Sequence, residues 1–154
     1  MRLLVFSDSH GTPYYMRQAL LMHPEADRIV FLGDGERDLD LVVQEINGRP
    51  LTAVKGNCDF GSLLPANETI KAGEHLVLCT HGFLESVKYG ESALIQKARD
   101  MKADIVLYGH THYQTASYED GLYILNPGCA ADGYYGMVDI TERGIMTLKC
   151  RVER

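Results

Sequence analysis

The sequence predicts an α/β fold. Five short apolar runs are continuous rather than alternating, which is typical of strands buried on both faces of a sheet. Helix-compatible stretches lie between several of these runs, so strands and helices are predicted to alternate in the first half of the chain. A length of 154 residues with 45% hydrophobic residues fits one globular domain covering residues 1–154.

The order of the predicted elements follows from these runs. The predicted strands are Leu3–Phe6, Ile29–Leu32, Leu51–Val54, Leu76–Cys79 and Ile105–Tyr108. The predicted helices are Tyr14–Met22, Leu39–Ile46 and Glu91–Met101. Glycine-containing turns at residues 72–74, 119–121 and 142–144 separate further strand-like segments in the second half. These turns predict antiparallel hairpins and make a second sheet plausible.

Composition narrows the classes of function. A formal net charge of −6 argues against stable nucleic-acid binding, because such binding needs a basic surface. The apolar stretch at the N-terminus, Leu3–Phe6, is too short for a signal peptide or a membrane span. The four cysteines form no C-x-x-C pair, so reduced thiols are expected. Together these features predict a cytoplasmic protein that does not enter a membrane.

Residues able to bind a metal follow each of the five predicted strands. In open α/β sheets, functional groups gather beyond the carboxyl ends of the strands, so these side chains are expected to converge. Aspartate and asparagine also suit ordinary turns, but histidine has no such preference. Four of the six histidines occupy strand-end positions. The predicted ligands are Asp8, His10, Asp34, Asn57, His81, His110 and His112.

This ligand set predicts two divalent metal ions. Carboxylate, amide and imidazole donors together suit borderline divalent ions such as Mn²⁺, Zn²⁺ or Fe²⁺, whereas Ca²⁺ prefers oxygen alone. For an enzyme at this site Mn²⁺ is the preferred prediction, and Ni²⁺ is a further alternative. Seven ligands are too many for one tetrahedral centre but suit two ions about 3.5–4 Å apart. Two such ions would attract a phosphate ester to the cleft of an otherwise acidic protein.

Five short blocks carry a resemblance to a known family. The blocks are Asp8-Ser9-His10, Gly33-Asp34, Gly56-Asn57-Cys58-Asp59, Thr80-His81-Gly82 and Gly109-His110-Thr111-His112, followed by Asn126-Pro127-Gly128. In this order they resemble the calcineurin-like metallophosphoesterase superfamily, in its small single-domain branch. The resemblance implies a four-layer α/β/β/α sandwich with two mixed β-sheets. It also implies one ion held by Asp8, His10, Asp34 and His112, and another held by Asp34, Asn57, His81 and His110.

The implied activity is that of a metal-dependent phosphodiesterase. A hydroxide bridging two ions would attack a small-molecule phosphodiester in line with the leaving group, without a covalent enzyme intermediate. Cys58 stands where many family members carry a histidine that helps to protonate the leaving group. Because a thiol is a weak hydrogen-bond donor, diesters with good leaving groups are favoured. The simpler interpretation of Cys58 is a packing residue beside the site.

Other interpretations stay open at this point. The same metal centre would also serve a phosphomonoesterase or nucleotidase. A non-catalytic role is the other alternative, because the same fold serves as a protein-binding scaffold in a retromer subunit. Asp59 is predicted either to support a ligand or to be a plain turn residue. Arg37 could contact a substrate phosphate, but its place in Glu36-Arg37-Asp38 favours the solvated first turn of a helix, and it is left out of the predicted site. A small domain with apolar strand edges could pair with a second copy of itself, so a homo-oligomer is a further alternative.

Overall fold

The computed structural model describes residues 1–153, which form two sheets packed face to face with helices on both outer sides. The strands are β1 (Arg2–Phe6), β2 (Arg28–Phe31), β3 (Leu51–Ala53), β4 (Asn67–Ala72), β5 (His75–Thr80), β6 (Ile105–Leu107), β7 (Thr115–Glu119), β8 (Leu122–Asn126), β9 (Tyr134–Thr141) and β10 (Gly144–Arg151). The helices are α1 (Tyr14–Met22), α2 (Glu36–Leu41), α3 (Val43–Ile46) and α4 (Ser92–Asp100), with 3₁₀ turns at Val87–Tyr89 and Ala130–Asp132. The predicted α/β/β/α sandwich is confirmed.

Both sheets mix parallel and antiparallel pairs. The first has the order β10-β9-β1-β2-β3, in which β1, β2 and β3 are parallel, β9 is antiparallel to β1, and β10 is antiparallel to β9. The second has the order β4-β5-β6-β8-β7, in which β5, β6 and β8 are parallel and the two edge strands run against them. The three predicted turns join β4 to β5, β7 to β8 and β9 to β10, as the sequence indicated.

Apolar side chains from both faces of each central strand explain the continuous runs in the sequence. On β1, Leu3 and Val5 point into the layer between the two sheets. Leu4 and Phe6 point the other way and pack against α1. All four side chains are buried, because this strand is covered on both sides. A similar outer layer packs α4 against the second sheet.

The predicted helix over Leu39–Ile46 is wrong in its bounds, because the structure has two short helices here. The chain leaves the helical conformation at Val42, with φ −119° and ψ 15°, and that side chain is fully buried. Helix α2 also begins earlier, at Glu36, because the Asp59 carboxylate accepts the amides of Gly35 and Glu36 and so caps the helix from a distant loop. No helix within residues 1–153 is long and apolar enough to cross a membrane.

Candidate metal centre

The structure brings the seven predicted ligands together at one edge of the molecule. The parallel strands of the two sheets end at this edge, so the loops that follow them meet in space. The predicted ligands are Asp8 and His10 after β1, Asp34 after β2, Asn57 in the turn after β3, His81 after β5, and His110 and His112 after β6. Sequence separations of up to 104 residues between Asp8 and His112 thus close to contact distance.

One cluster forms around the buried carboxylate of Asp8. Its Oδ1 atom lies 3.4 Å from His10 Nε2 and 3.3 Å from His112 Nε2, and the two imidazole nitrogens are 3.2 Å apart. Its Oδ2 atom accepts hydrogen bonds from the Ser7 hydroxyl and the His110 amide, at 2.6 and 3.0 Å. Oδ1 accepts none within residues 1–153. A buried carboxylate oxygen without a donor is costly, and a divalent cation between it and the two rings would stabilise it.

A second cluster forms around His81. Its Nδ1 lies 2.7 Å from the Leu32 carbonyl oxygen, which assigns the proton of a neutral ring to Nδ1 and leaves a lone pair on Nε2. That Nε2 lies 3.2 Å from Asp34 Oδ2, 2.9 Å from Asn57 Oδ1 and 3.2 Å from His110 Nδ1. Electron-rich atoms therefore converge on one point. This arrangement fits a divalent cation.

Asp34 lies between the two clusters. Its Oδ2 is 3.2 Å from His81 Nε2 and 3.8 Å from His10 Nε2, and its Oδ1 accepts the Cys58 amide at 2.7 Å. Burial by itself raises the pKa of Asp34, but the hydrogen bonds from His81 and from the Cys58 amide outweigh burial and lower the pKa to about 2. Asp34 is therefore a carboxylate at neutral pH.

The histidines of the second cluster respond in opposite ways to this environment. Burial lowers the pKa of His81, but its hydrogen bond to Asp34 and the charge of Asp8 raise it more. Burial lowers the pKa of His110, and the charges on His81 and Lys88 lower it further. The carboxylates around His81 thus favour positive charge at this position. A divalent ion would supply that charge in place of a proton.

The backbone at the site is unusual. The left-handed φ values are 59° at Asp8, 44° at His10, 62° at Asp34, 71° at His110 and 66° at His112. This conformation costs an ordinary residue about 1–2 kcal/mol. It is retained because the loops are fixed to one another, for example by the amide of His10 on the carbonyl of Asp34 at 3.0 Å. Such strain concentrates at functional sites.

Asp59 holds the loop that carries Asp34. Its two carboxylate oxygens accept four backbone amides, those of Asp34 (2.8 Å), Gly35 (2.9 Å), Glu36 (3.0 Å) and Gly56 (2.8 Å). Burial raises the pKa of Asp59, but these four amides outweigh burial and lower it. Of its two predicted roles, the geometry therefore supports the one in which Asp59 positions a ligand.

Asp38 is a supporting residue that the sequence did not reveal. It is buried, and its Oδ2 accepts the Ser9 hydroxyl at 2.5 Å and the Gly11 amide at 2.9 Å, on either side of His10. Its place in the charged run Glu36-Arg37-Asp38 suggests a solvated residue. The partners that bury it lie almost thirty positions earlier, so no local signal could have identified it.

The loop with His110 and His112 has its own support. The side-chain amide of Asn126 donates to the Gly109 carbonyl at 3.1 Å and to the Thr111 hydroxyl at 3.0 Å. Gly109 must be a glycine, because a Cβ there would lie 1.9 Å from the Ser7 hydroxyl oxygen. Asn126 belongs to the Asn-Pro-Gly block singled out in the sequence, and its contacts show what that block does.

Comparisons with known proteins identify the family. Residues 1–143 match the calcineurin-like phosphoesterase superfamily domain. The chain belongs to this superfamily. It is 31% identical over 129 residues to a probable metallophosphoesterase, YsnB, of Bacillus subtilis strain 168, across 83% of this chain and 74% of YsnB. The predicted family is confirmed, and with it the coarse activity of a metal-dependent phosphoesterase.

Solved structures of other proteins share this phosphoesterase fold. The structure of a protein described as a novel archaeal phosphodiesterase superposes on this chain with a TM-score of 0.74 at 18% identity, over 97% of this chain and 100% of that chain. Vps29 of Entamoeba histolytica in complex with zinc superposes with a TM-score of 0.76 at 21% identity, over 98% and 99% of the two chains. At these identities the likeness establishes the fold alone.

Two cavities flank the two clusters of predicted ligands in this calcineurin-like phosphoesterase. The first, of about 290 Å³, extends from His10 and Asp34 to Arg37, Cys58 and Phe60. Arg37 does lie on the first turn of α2 and is exposed, as predicted, but it also borders the candidate site. The second cavity is smaller, about 120 Å³, and its lining includes Lys55, Asn57, His81, Phe83 and Leu84.

Proposed function

We propose that this phosphoesterase hydrolyses phosphodiesters at a dinuclear metal centre, with Mn²⁺ as the activating ion. Asp8, His10, Asp34 and His112 would hold one ion, and Asp34, Asn57, His81 and His110 the other. The observation that carries the proposal is the Asp8 Oδ1 atom, buried without a hydrogen-bond donor and placed 3.3–3.4 Å from two imidazole nitrogens. Such an atom is stabilised by a cation.

The residues of this chain prepare the centre before any ion arrives. Hydrogen bonds that orient ligands strengthen metal sites, and several ligands here have them. The Leu32 carbonyl oxygen fixes the ring of His81, and the Cys58 amide fixes the carboxylate of Asp34. When bound, two divalent ions would supply a nucleophile from water near neutral pH and offset negative charge on the phosphoryl oxygens.

Cys58 bears on the type of ester. Its thiol is exposed beside Asp34 at the edge of the larger cavity. Desolvation and the negative charge of Asp34 raise the pKa of this thiol, so it stays protonated at neutral pH. A thiol is nevertheless a weak hydrogen-bond donor and gives little help to a poor leaving group. This supports diesters with good leaving groups, such as aryl esters.

A non-catalytic scaffold is the second candidate. Vps29 structures share the fold, and the Entamoeba histolytica protein was solved with zinc. Metal binding alone therefore does not distinguish an enzyme from a scaffold. Turnover of a phosphate ester distinguishes them.

The test is hydrolysis of bis(p-nitrophenyl) phosphate and p-nitrophenyl phosphate by metal-stripped protein, with Mn²⁺, Mg²⁺, Zn²⁺ or Ni²⁺ added back singly. Faster turnover of the diester, restored by Mn²⁺, is expected. Turnover confined to the monoester would make the protein a phosphomonoesterase. Folded protein with two bound ions and no turnover of either ester would favour the scaffold.

A matched pair of variants tests the role of Asp34. Asp34→Asn keeps the shape of the side chain but removes the charge, so metal binding and turnover should be lost together. Asp40→Asn is the control, because Asp40 is exposed on the same connection and lies outside the clusters. Full activity of Asp34→Asn would show that the two-ion mechanism is wrong.

A further inference from the structure

The cleft contains an arginine whose guanidinium has no interaction partner among residues 1–153. Arg37 is exposed and lines the 290 Å³ cavity with His10, Asp34 and Phe60. Within residues 1–153 its guanidinium makes no hydrogen bond, ion pair or ring contact. A guanidinium beside a phosphoesterase centre is well suited to a phosphate group, since its planar fork can donate two parallel hydrogen bonds.

The other arginines of the described chain show how unusual this is. All but one of their side chains make a hydrogen bond or a ring contact within the protein. The partners are Asp139 for Arg2, Glu45 for Arg17, Thr52 for Arg28, the His23 carbonyl for Arg49, the Asp120 carbonyl for Arg99 and the Tyr134 ring for Arg151. The exception besides Arg37 is Arg143, in the β9–β10 turn at the opposite end of the sheet.

The carboxylates of the same cavity leave the Arg37 charge available. Asp38 and Asp59 are already engaged by hydrogen bonds from the protein, and Asp34 belongs to the metal-ligand clusters. Among the described residues that line this cavity, Glu36 is the remaining carboxylate, and it is partly exposed. Two divalent ions in the clusters would bring four positive charges against the two negative charges of Asp8 and Asp34, so the loaded centre beside Arg37 would itself attract an anion.

Exposed aromatic side chains accompany the free charge. Phe60 is 89% exposed and lines the cavity that contains Arg37. Phe83 is also exposed, but it lines the smaller cavity on the other side. An aromatic ring and a guanidinium in one cavity suit a nucleobase and a phosphate.

We propose that this cavity binds a nucleotide arm of the substrate, with the base against Phe60 and a second phosphate on Arg37. The substrate class is then a small phosphodiester that carries a nucleoside and a phosphate beyond the one hydrolysed. This inference rests on the proposed phosphodiesterase function. About 300 Å³ is the lower limit of small-ligand pockets, which suits one such arm. The net charge of −6 argues against a long nucleic acid.

Two chromogenic probes test the subsite on the Mn²⁺-loaded protein. Thymidine 5′-(p-nitrophenyl phosphate) and its 3′-phosphorylated form share the same scissile bond and leaving group. The 3′-phosphate should raise kcat/KM at least about tenfold. Arg37→Met should reduce that ratio to about one, whereas Arg143→Met, the matched control, should keep it. Phe60→Ala should lower kcat/KM for both probes by about tenfold and leave the ratio unchanged.

A binding measurement separates the subsite from the reaction. In titration calorimetry, thymidine 3′,5′-bisphosphate should bind the Mn²⁺-loaded wild type about tenfold more tightly than thymidine 5′-monophosphate, and Arg37→Met should abolish the difference. If this preference is found but neither probe is hydrolysed, the subsite stands and the phosphodiesterase proposal fails. If both probes are hydrolysed at equal kcat/KM and the two nucleotides bind equally, the subsite is wrong and the phosphodiesterase proposal stands.

Discussion

Replacing Asp59 by asparagine should destabilise the protein by about 2–4 kcal/mol at pH 7. The carboxylate accepts four amides at 2.8–3.0 Å, two on each oxygen. An asparagine of the same shape has one acceptor oxygen, so its NH₂ group would face two amide donors that then lack a partner. Each unsatisfied buried donor costs about 1–3 kcal/mol, and partial access of water reduces the total.

Urea denaturation and thermal melting of metal-free protein measure this loss. For a chain of this size, 2–4 kcal/mol corresponds to a melting temperature lower by about 5–15 °C. Asp40→Asn is the control, since Asp40 is exposed and should change stability by less than about 0.5 kcal/mol. An Asp59→Asn variant as stable as this control would refute the role assigned to the four amides.

The pH dependence of the same variant gives an independent check. The folded state lowers the pKa of Asp59, so its contribution to stability is fully present above the unfolded pKa of about 3.9. That contribution is lost as the pH falls through the lower, folded pKa. The difference between wild type and Asp59→Asn should therefore be constant from pH 6 to 7 and shrink below about pH 4. A difference that grows on acidification would contradict this sign.

Two further variants probe the centre itself. Cys58→His should increase turnover of a diester with an alkyl leaving group at least about tenfold relative to bis(p-nitrophenyl) phosphate, because imidazolium is an effective general acid. Cys58→Ser, the control, should not change the ratio of the two turnover rates. Equal effects of Cys58→His on both esters would contradict the acid role of this position. Asp8→Asn should stabilise metal-free protein at pH 8 by about 1 kcal/mol in urea denaturation, because the asparagine side-chain amide can donate to His10 and His112. Titration calorimetry of the same variant should show that metal binding is lost. A destabilised metal-free Asp8→Asn would mean that the buried charge is already compensated.

The α/β class could be predicted from the residue pattern because the central strands are buried on both faces, whereas the four-layer sandwich was implied only by the family resemblance. Leu3, Leu4, Val5 and Phe6 are all apolar for this reason, and the run ends where the chain reaches the functional edge. The histidines were informative because that residue type has no ordinary turn role. Convergence of the loops then follows from parallel strands whose carboxyl ends share one edge of the molecule.

Ligand support by Asp59 was one of the predicted possibilities, but support by Asp38 was not, because its partners are distant in sequence. Asp38 binds Ser9 and Gly11 across almost thirty positions, and nothing in its charged neighbourhood indicates burial. The division between α2 and α3 has the same origin, since buried Val42 is fixed by tertiary packing rather than by local preference. Arg37 could be placed on a helix, but the cavity beside it is a property of three loops.

Burial of charge provides an argument for metal binding that the fold alone does not. A scaffold that never binds metal would be more stable with a neutral or apolar residue at position 8, since a buried, unbonded carboxylate oxygen opposes folding. The same holds for the left-handed backbone at His10 and His112, which an ordinary turn would relieve with glycine. Asp8 and both histidines face one another at 3.2–3.4 Å. This combination destabilises the protein without a cation and becomes favourable with one, which is the balance expected of a metal centre.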